Sequence, residues 1–139
     1  MLSQPYNEEV FKYLLAVERE RCDRSGRPFL LLLMAPAPRP GVPAPIARAV
    51  ARTLFSSLRV CLRETDFIGW YHEARVAGAV LTDPGEETAA AVCRRVGRTI
   101  GGALRESCSS EVARGFQLRV YEHGEPGGAT PAGGLTLDL

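Results

Sequence analysis

The sequence has almost no net charge: 17 basic side chains against 16 acidic ones leave +1 over 139 residues. That balance excludes a protein that holds a nucleic-acid polymer or an anionic membrane by bulk charge. It also lacks any Cys-x-x-Cys pair. Cys22, Cys61, Cys93 and Cys108 are well separated, and so are the two histidines, His72 and His123, so no zinc-type spacing exists. No basic-then-apolar start marks a signal peptide, and the longest apolar run, Phe29–Ala35, is too short to span a bilayer. These absences point to a reduced, cytoplasmic, soluble domain with buried thiols. Lysine is nearly missing as well, with Lys12 beside 16 arginines. A GC-rich genome explains that bias, and so does phosphate recognition by guanidinium forks.

What is present is ordinary for one globular domain, 45% apolar and 24% charged. Residues 7–24 read as a helix capped by Asn7, with Glu8 and Glu9 in its first turn. Its apolar face is Val10, Phe11, Leu14, Leu15 and Val17. A buried strand follows at Phe29–Ala35. Between Pro36 and Pro45 five of ten residues are proline, which forbids helix and ladder alike. A second helix runs from about Ile46 to Leu62, with Ile46, Val50, Leu54, Leu58 and Cys61 inward and Arg48, Arg52, Arg59 and Arg63 around the rest. Thr65–Tyr71 and Arg75–Thr82 read as a hairpin turning at His72-Glu73-Ala74. The small residues Val76, Ala77, Gly78, Ala79 and Val80 let a helix approach the second strand closely. After the turn Asp83-Pro84-Gly85, a third helix covers about Glu86–Glu106. Its stripe is Ala89, Val92, Cys93, Val96, Ile100 and Leu104, and Gly97, Gly101 and Gly102 suggest close packing or a kink. Phe116–His123 alternates as the last strand. The Gly/Pro-rich tail 124–139 reads as loose, with Leu135–Leu139 able to dock.

The expected architecture is therefore α+β, a ferredoxin-like β-α-β-β-α-β with a four-stranded antiparallel sheet and an extra N-terminal helix, over residues 1–123. Many functions share such a fold.

Glu18–Ala35 (ERERCDRSGRPFLLLLMA) and Arg63–Leu81 (RETDFIGWYHEARVAGAVL) together resemble the GGDEF, or diguanylate cyclase, family. The order and spacing of the pieces carry the likeness. Active members hold two magnesium ions on carboxylates that close the first strand and sit in the hairpin signature. Here the strand positions are Ala35 and Ala37, and the five signature positions are His72, Glu73, Ala74, Arg75 and Val76. The guanine-reading helix is replaced by Pro36–Pro45. The resemblance thus implies a domain that is not an enzyme, has no catalytic residue, and needs no metal or cofactor.

One family feature survives, Arg63-Glu64-Thr65-Asp66, with five residues between Asp66 and the signature. In the resembled family this R-x-x-D binds cyclic di-GMP, aided by an arginine that falls here on Arg94 or Arg95. Arg63 can fork onto phosphate or a guanine edge, and Asp66 can accept from guanine N–H groups. The alternative is a local salt bridge at a helix-to-strand junction. Trp70 and Tyr71, with Arg75 nearby, offer instead a surface for self-association or a protein partner. Strand alternation would send one of those rings into the core. An RNA-recognition module would need stacking aromatics where Ala77-Gly78-Ala79 stand. An amino-acid-binding regulatory domain stays open, because such sites are mostly backbone.

Overall fold

The computed structural model describes residues 4–37, 45–124 and 135–139. Helix α1 (Glu8–Ser25) starts where the Asn7 side chain accepts the Val10 N–H at 2.9 Å, and it ends at Gly26 with φ 76°. Its buried residues are Phe11, Leu15, Glu18 and Cys22, steps of four, three and four that follow the helical period. This corrects the expected face: Val10 and Val17 lie about a third of a turn away and are exposed.

Strand β1 (Phe29–Pro36) is followed by α2 (Arg48–Cys61), β2 (Phe67–His72), β3 (Val76–Leu81), α3 (Ala89–Ser107), a short α4 (Ser110–Arg114), β4 (Phe116–His123) and β5 (Leu135–Asp138). The sheet order is β2-β3-β1-β4-β5, with every neighbouring pair antiparallel. The expected four-stranded sheet is therefore five-stranded. Leu135–Asp138 pairs with β4 and covers what would otherwise be an open edge. The proline-rich break falls largely on 38–44, and the start of the tail on 125–134, both outside the described residues.

Central β1 is apolar on both faces because each face is covered. Leu30, Leu32 and Met34 meet Leu54, Leu58, Val96, Ile100 and Leu104 of α2 and α3. Phe29 and Leu31 meet Phe11, Leu15 and Cys22 of α1. Among the described residues no helix is long and apolar enough to cross a membrane.

Two helix starts differ from the sequence reading. Helix α3 begins at Ala89 rather than Glu86, because the Thr88 hydroxyl accepts the Ala91 N–H at 3.1 Å and Gly85, at φ 64°, holds the preceding turn. Gly97 and Gly101 are buried within one continuous helix. Helix α2 begins at Arg48 after Ala47, which offers no side-chain cap. The Ile46 N–H instead bonds the Ala74 carbonyl at 2.6 Å, which pins the start of α2 to the hairpin.

Gly69 and Gly78 face each other across β2 and β3. A Cβ on Gly78 would lie 2.7 Å from Phe11 Cζ, and one on Gly69 would lie 2.6 Å from the Tyr6 carbonyl oxygen. The missing side chains are what allow α1 to seat on this hairpin.

Candidate functional site

The turn between β2 and β3 holds positions that the sequence resemblance sets against the family signature. Its backbone closes with the Arg75 N–H on the His72 carbonyl at 3.0 Å, and Ala74 adopts φ 59°. Glu73 is tied to α1 by a reciprocal clasp. Its N–H donates to Glu8 Oε1 at 2.7 Å, and the Glu8 N–H donates to Glu73 Oε1 at 3.1 Å. One free helix-start amide is thereby satisfied from another element. The Glu73 N–H, and then Lys12 at 3.3 Å, hold the Glu8 carboxyl below its ordinary range. Lys12 also lies 3.5 Å from His72 Nδ1 and 5.1 Å from the Tyr71 ring centre.

Beside the turn is a cavity of about 310 Å³ lined by Leu33, Ala35, Tyr71, His72, Gln117 and Arg119, among others. Its described lining contains no carboxylate. Ala35 lies one residue before the end of β1 and Ala37 just beyond it, and neither side chain can serve as a metal ligand. The residues present do not fit a two-magnesium centre.

The Arg63–Asp66 corner joins the end of α2 to β2. Asp66 is 3% exposed. Its Oδ2 accepts the Arg63 N–H and its Oδ1 accepts the Thr82 N–H, each at 3.0 Å. The Arg63 guanidinium is largely exposed, 3.9 Å from Asp66 Oδ2, and it donates to the Asp83 carbonyl. The helix arginine at this corner is Arg95, not Arg94. Arg95 makes a two-pronged pair with Glu87, both contacts at 2.9 Å, and donates to the Cys61 carbonyl at 3.0 Å. Arg94 is exposed and takes no part in these bonds. The Arg95 fork lowers the Glu87 carboxyl, while Glu87 raises Arg95. Three of the residues expected to bind a ligand thus come together. The carboxylate among them already serves two backbone amides, and the fork already holds a carboxylate.

Trp70 and Tyr71 point to opposite faces, as alternation requires, and both are half-buried. Trp70 packs edge-on against Phe55, with ring centres 5.1 Å apart, while Tyr71 joins the α1 side. Arg75 is exposed on the turn. Trp70 also lines a groove of about 640 Å³ between α2 and the hairpin, together with Phe55, Arg48, Arg52, Arg59 and Glu73. Among the described residues Arg48 and Arg52 have no carboxylate partner, and α2 itself carries no acid. The arginines were visible in the sequence, but their convergence with Trp70 was not. The signal was the absence of any acid from the second helix. Glu87 as the partner of Arg95 had no such signal, since it precedes the helix by a turn.

No protein-family model matches the chain, and no curated protein matches it. A solved structure does, described as the crystal structure of a DGC protein from Thermotoga maritima. The two superpose with a TM-score of 0.64 at 17% identity, over 88% of this chain and 84% of that one. The fold of this chain is that of the bacterial DGC structure.

Proposed function

We propose that this chain is a non-catalytic, GGDEF-like regulatory domain that works by docking to an acidic segment of another protein. The observation that carries this reading is the hairpin turn. Its one remaining carboxylate, Glu73, is bonded to the α1 backbone, and alanines stand at 35 and 74 where metal ligands would be needed. The docking part rests on the α2–hairpin groove, where Arg48 and Arg52, without a carboxylate partner among the described residues, line the same groove as Trp70 and Phe55. Arginine and tryptophan are the residues around which interfaces concentrate their energy.

A second reading, a cyclic di-GMP receptor, is favoured by the convergence of Arg63, Asp66 and Arg95 at one corner. Glu87 stands against it, because it fills the Arg95 fork that a phosphate would need.

One set of titrations separates the readings. The domain is mixed in turn with GTP and magnesium, with cyclic di-GMP, and with a labelled glutamate-rich peptide carrying a phenylalanine anchor. A lysine-for-glutamate peptide serves as control. The expected result is no GTP turnover and binding of the acidic peptide alone, weakened at least tenfold by Arg52→Glu or Trp70→Ala. GTP turnover would overturn the non-catalytic reading. Cyclic di-GMP binding that disappears in Arg63→Ala would replace docking with the receptor.

A further inference from the structure

At the opposite end of α1 from the hairpin, three chemically different side chains meet. Cys22 and Asp23 come from the last turns of α1, and His123 ends β4, about 100 residues later in the chain. A ligand atom from each, Sγ, a carboxylate oxygen and an imidazole nitrogen, lies within 4.8 Å of the others. His123 Nε2 is 3.6 Å from Asp23 Oδ1. Two ligands on one tetrahedral zinc ion, each about 2.0–2.3 Å from the metal, stand roughly 3.3–3.6 Å apart. The histidine–aspartate pair already has that separation. The thiol lies within 4.8 Å of both, so closing to that separation takes a shift of at most about 1.5 Å, which the exposed Asp23 side chain can share.

The ligands sit in a packed frame. The Cys22 side chain is buried against Phe29 and Leu15. The His123 ring lies over Phe29 with centres 5.0 Å apart. Gly124 at φ 110° passes directly above the thiol, where a Cβ would come within 2.5 Å of Sγ. Burial holds the Cys22 thiol above its ordinary range, and the negative charges of Asp23 and buried Glu18 add to that.

We infer that Cys22, Asp23 and His123 form a binding site for a borderline-soft divalent cation such as Zn²⁺, with the fourth position open to solvent. Binding releases the thiol proton to solvent, and the ion ties the end of α1 to the end of β4. Helix α1 is then fastened at both ends, by the Glu8–Glu73 clasp at one and by the metal at the other. This site is independent of the docking groove.

The test is titration of the intact chain with Co²⁺, followed in the near ultraviolet for the thiolate-to-cobalt band, with Zn²⁺ as competitor. One equivalent of Co²⁺ should give the band, and Zn²⁺ should displace it. Cys22→Ser should abolish the band, and Asp23→Asn and His123→Gln should weaken binding at least tenfold. Cys61→Ala with Cys108→Ala should leave it unchanged. Circular dichroism establishes that each variant is folded, and Asp23→Asn, at an exposed position, provides the test even where Cys22→Ser is unstable. Absence of the band, or its persistence in Cys22→Ser, would overturn the proposal.

Discussion

Asp66 is the residue at which a binding role and a structural role predict different things. Its carboxylate accepts two backbone N–H groups from inside the fold. Asp66→Ala leaves both part-buried donors without this acceptor, at about 1–3 kcal/mol in total. Arg63→Ala removes a largely exposed ion pair, worth about 0–1 kcal/mol, together with an exposed hydrogen bond to the Asp83 carbonyl. Urea unfolding should therefore show a large loss for the first variant and almost none for the second. Equal losses would mean that the Arg63 guanidinium holds this corner as firmly as the carboxylate does. Glu87 gives a test by pH. Its folded pKa lies below its unfolded one because of the Arg95 fork. Its contribution is therefore complete above the unfolded value and is lost as pH falls through the folded value. Thermal melts from about pH 6 to about pH 3 span that range. Glu87→Gln should flatten the acid limb of stability slightly, since both side chains are partly exposed.

Among the elements, α1 has the most particular fit. Phe11 seats on paired glycines of β2 and β3, so Gly78→Ala forces overlap at 2.7 Å. Overpacking of this kind costs about 1–3 kcal/mol. Gly102→Ala on α3 meets nothing within 4 Å and should instead gain up to about 1 kcal/mol from helix propensity. Chemical unfolding of the two variants should give opposite signs. The small-sided character of β3 was legible in the sequence as an invitation to close helix packing. Which helix would accept it was not, because nothing local to β3 identifies α1 over α2 or α3.

For the whole molecule, two helices close one sheet face and α1 partly closes the other, leaving the groove between α2 and the hairpin as the basic, aromatic surface. With a net charge of +1, the acidic partner proposed above would be drawn by this local cluster and not by the protein's overall field. Exposed charge pairs are screened beyond about 10 Å at 0.1 M salt and about 3 Å at 1 M. Binding of the acidic peptide should therefore weaken several-fold between those conditions, as followed by fluorescence anisotropy. Binding that salt leaves unchanged would assign the groove to apolar contacts and remove the role given to Arg48 and Arg52.

Three helices, four strands and their order were legible in the sequence, though not the short α4, because periodicity, caps and breakers act over a few residues: Asn7 and Gly26 bound the first helix, and alternation places Trp70 and Tyr71 on opposite faces. The sequence by itself also determined what the chain lacks at positions 35, 37, 74 and 75. The fifth strand emerged from long-range packing, since edge pairing of β5 with β4 depends on a partner's unpaired backbone, not on β5's own residues. Only the tertiary structure chose Arg95 over Arg94, because one residue turns a helical side chain by about 100°, a difference the register in sequence left open. And only it brought Cys22 beside His123 and Trp70 beside Arg52. Those meetings follow from how helices and strands pack, which short-range sequence signals do not encode.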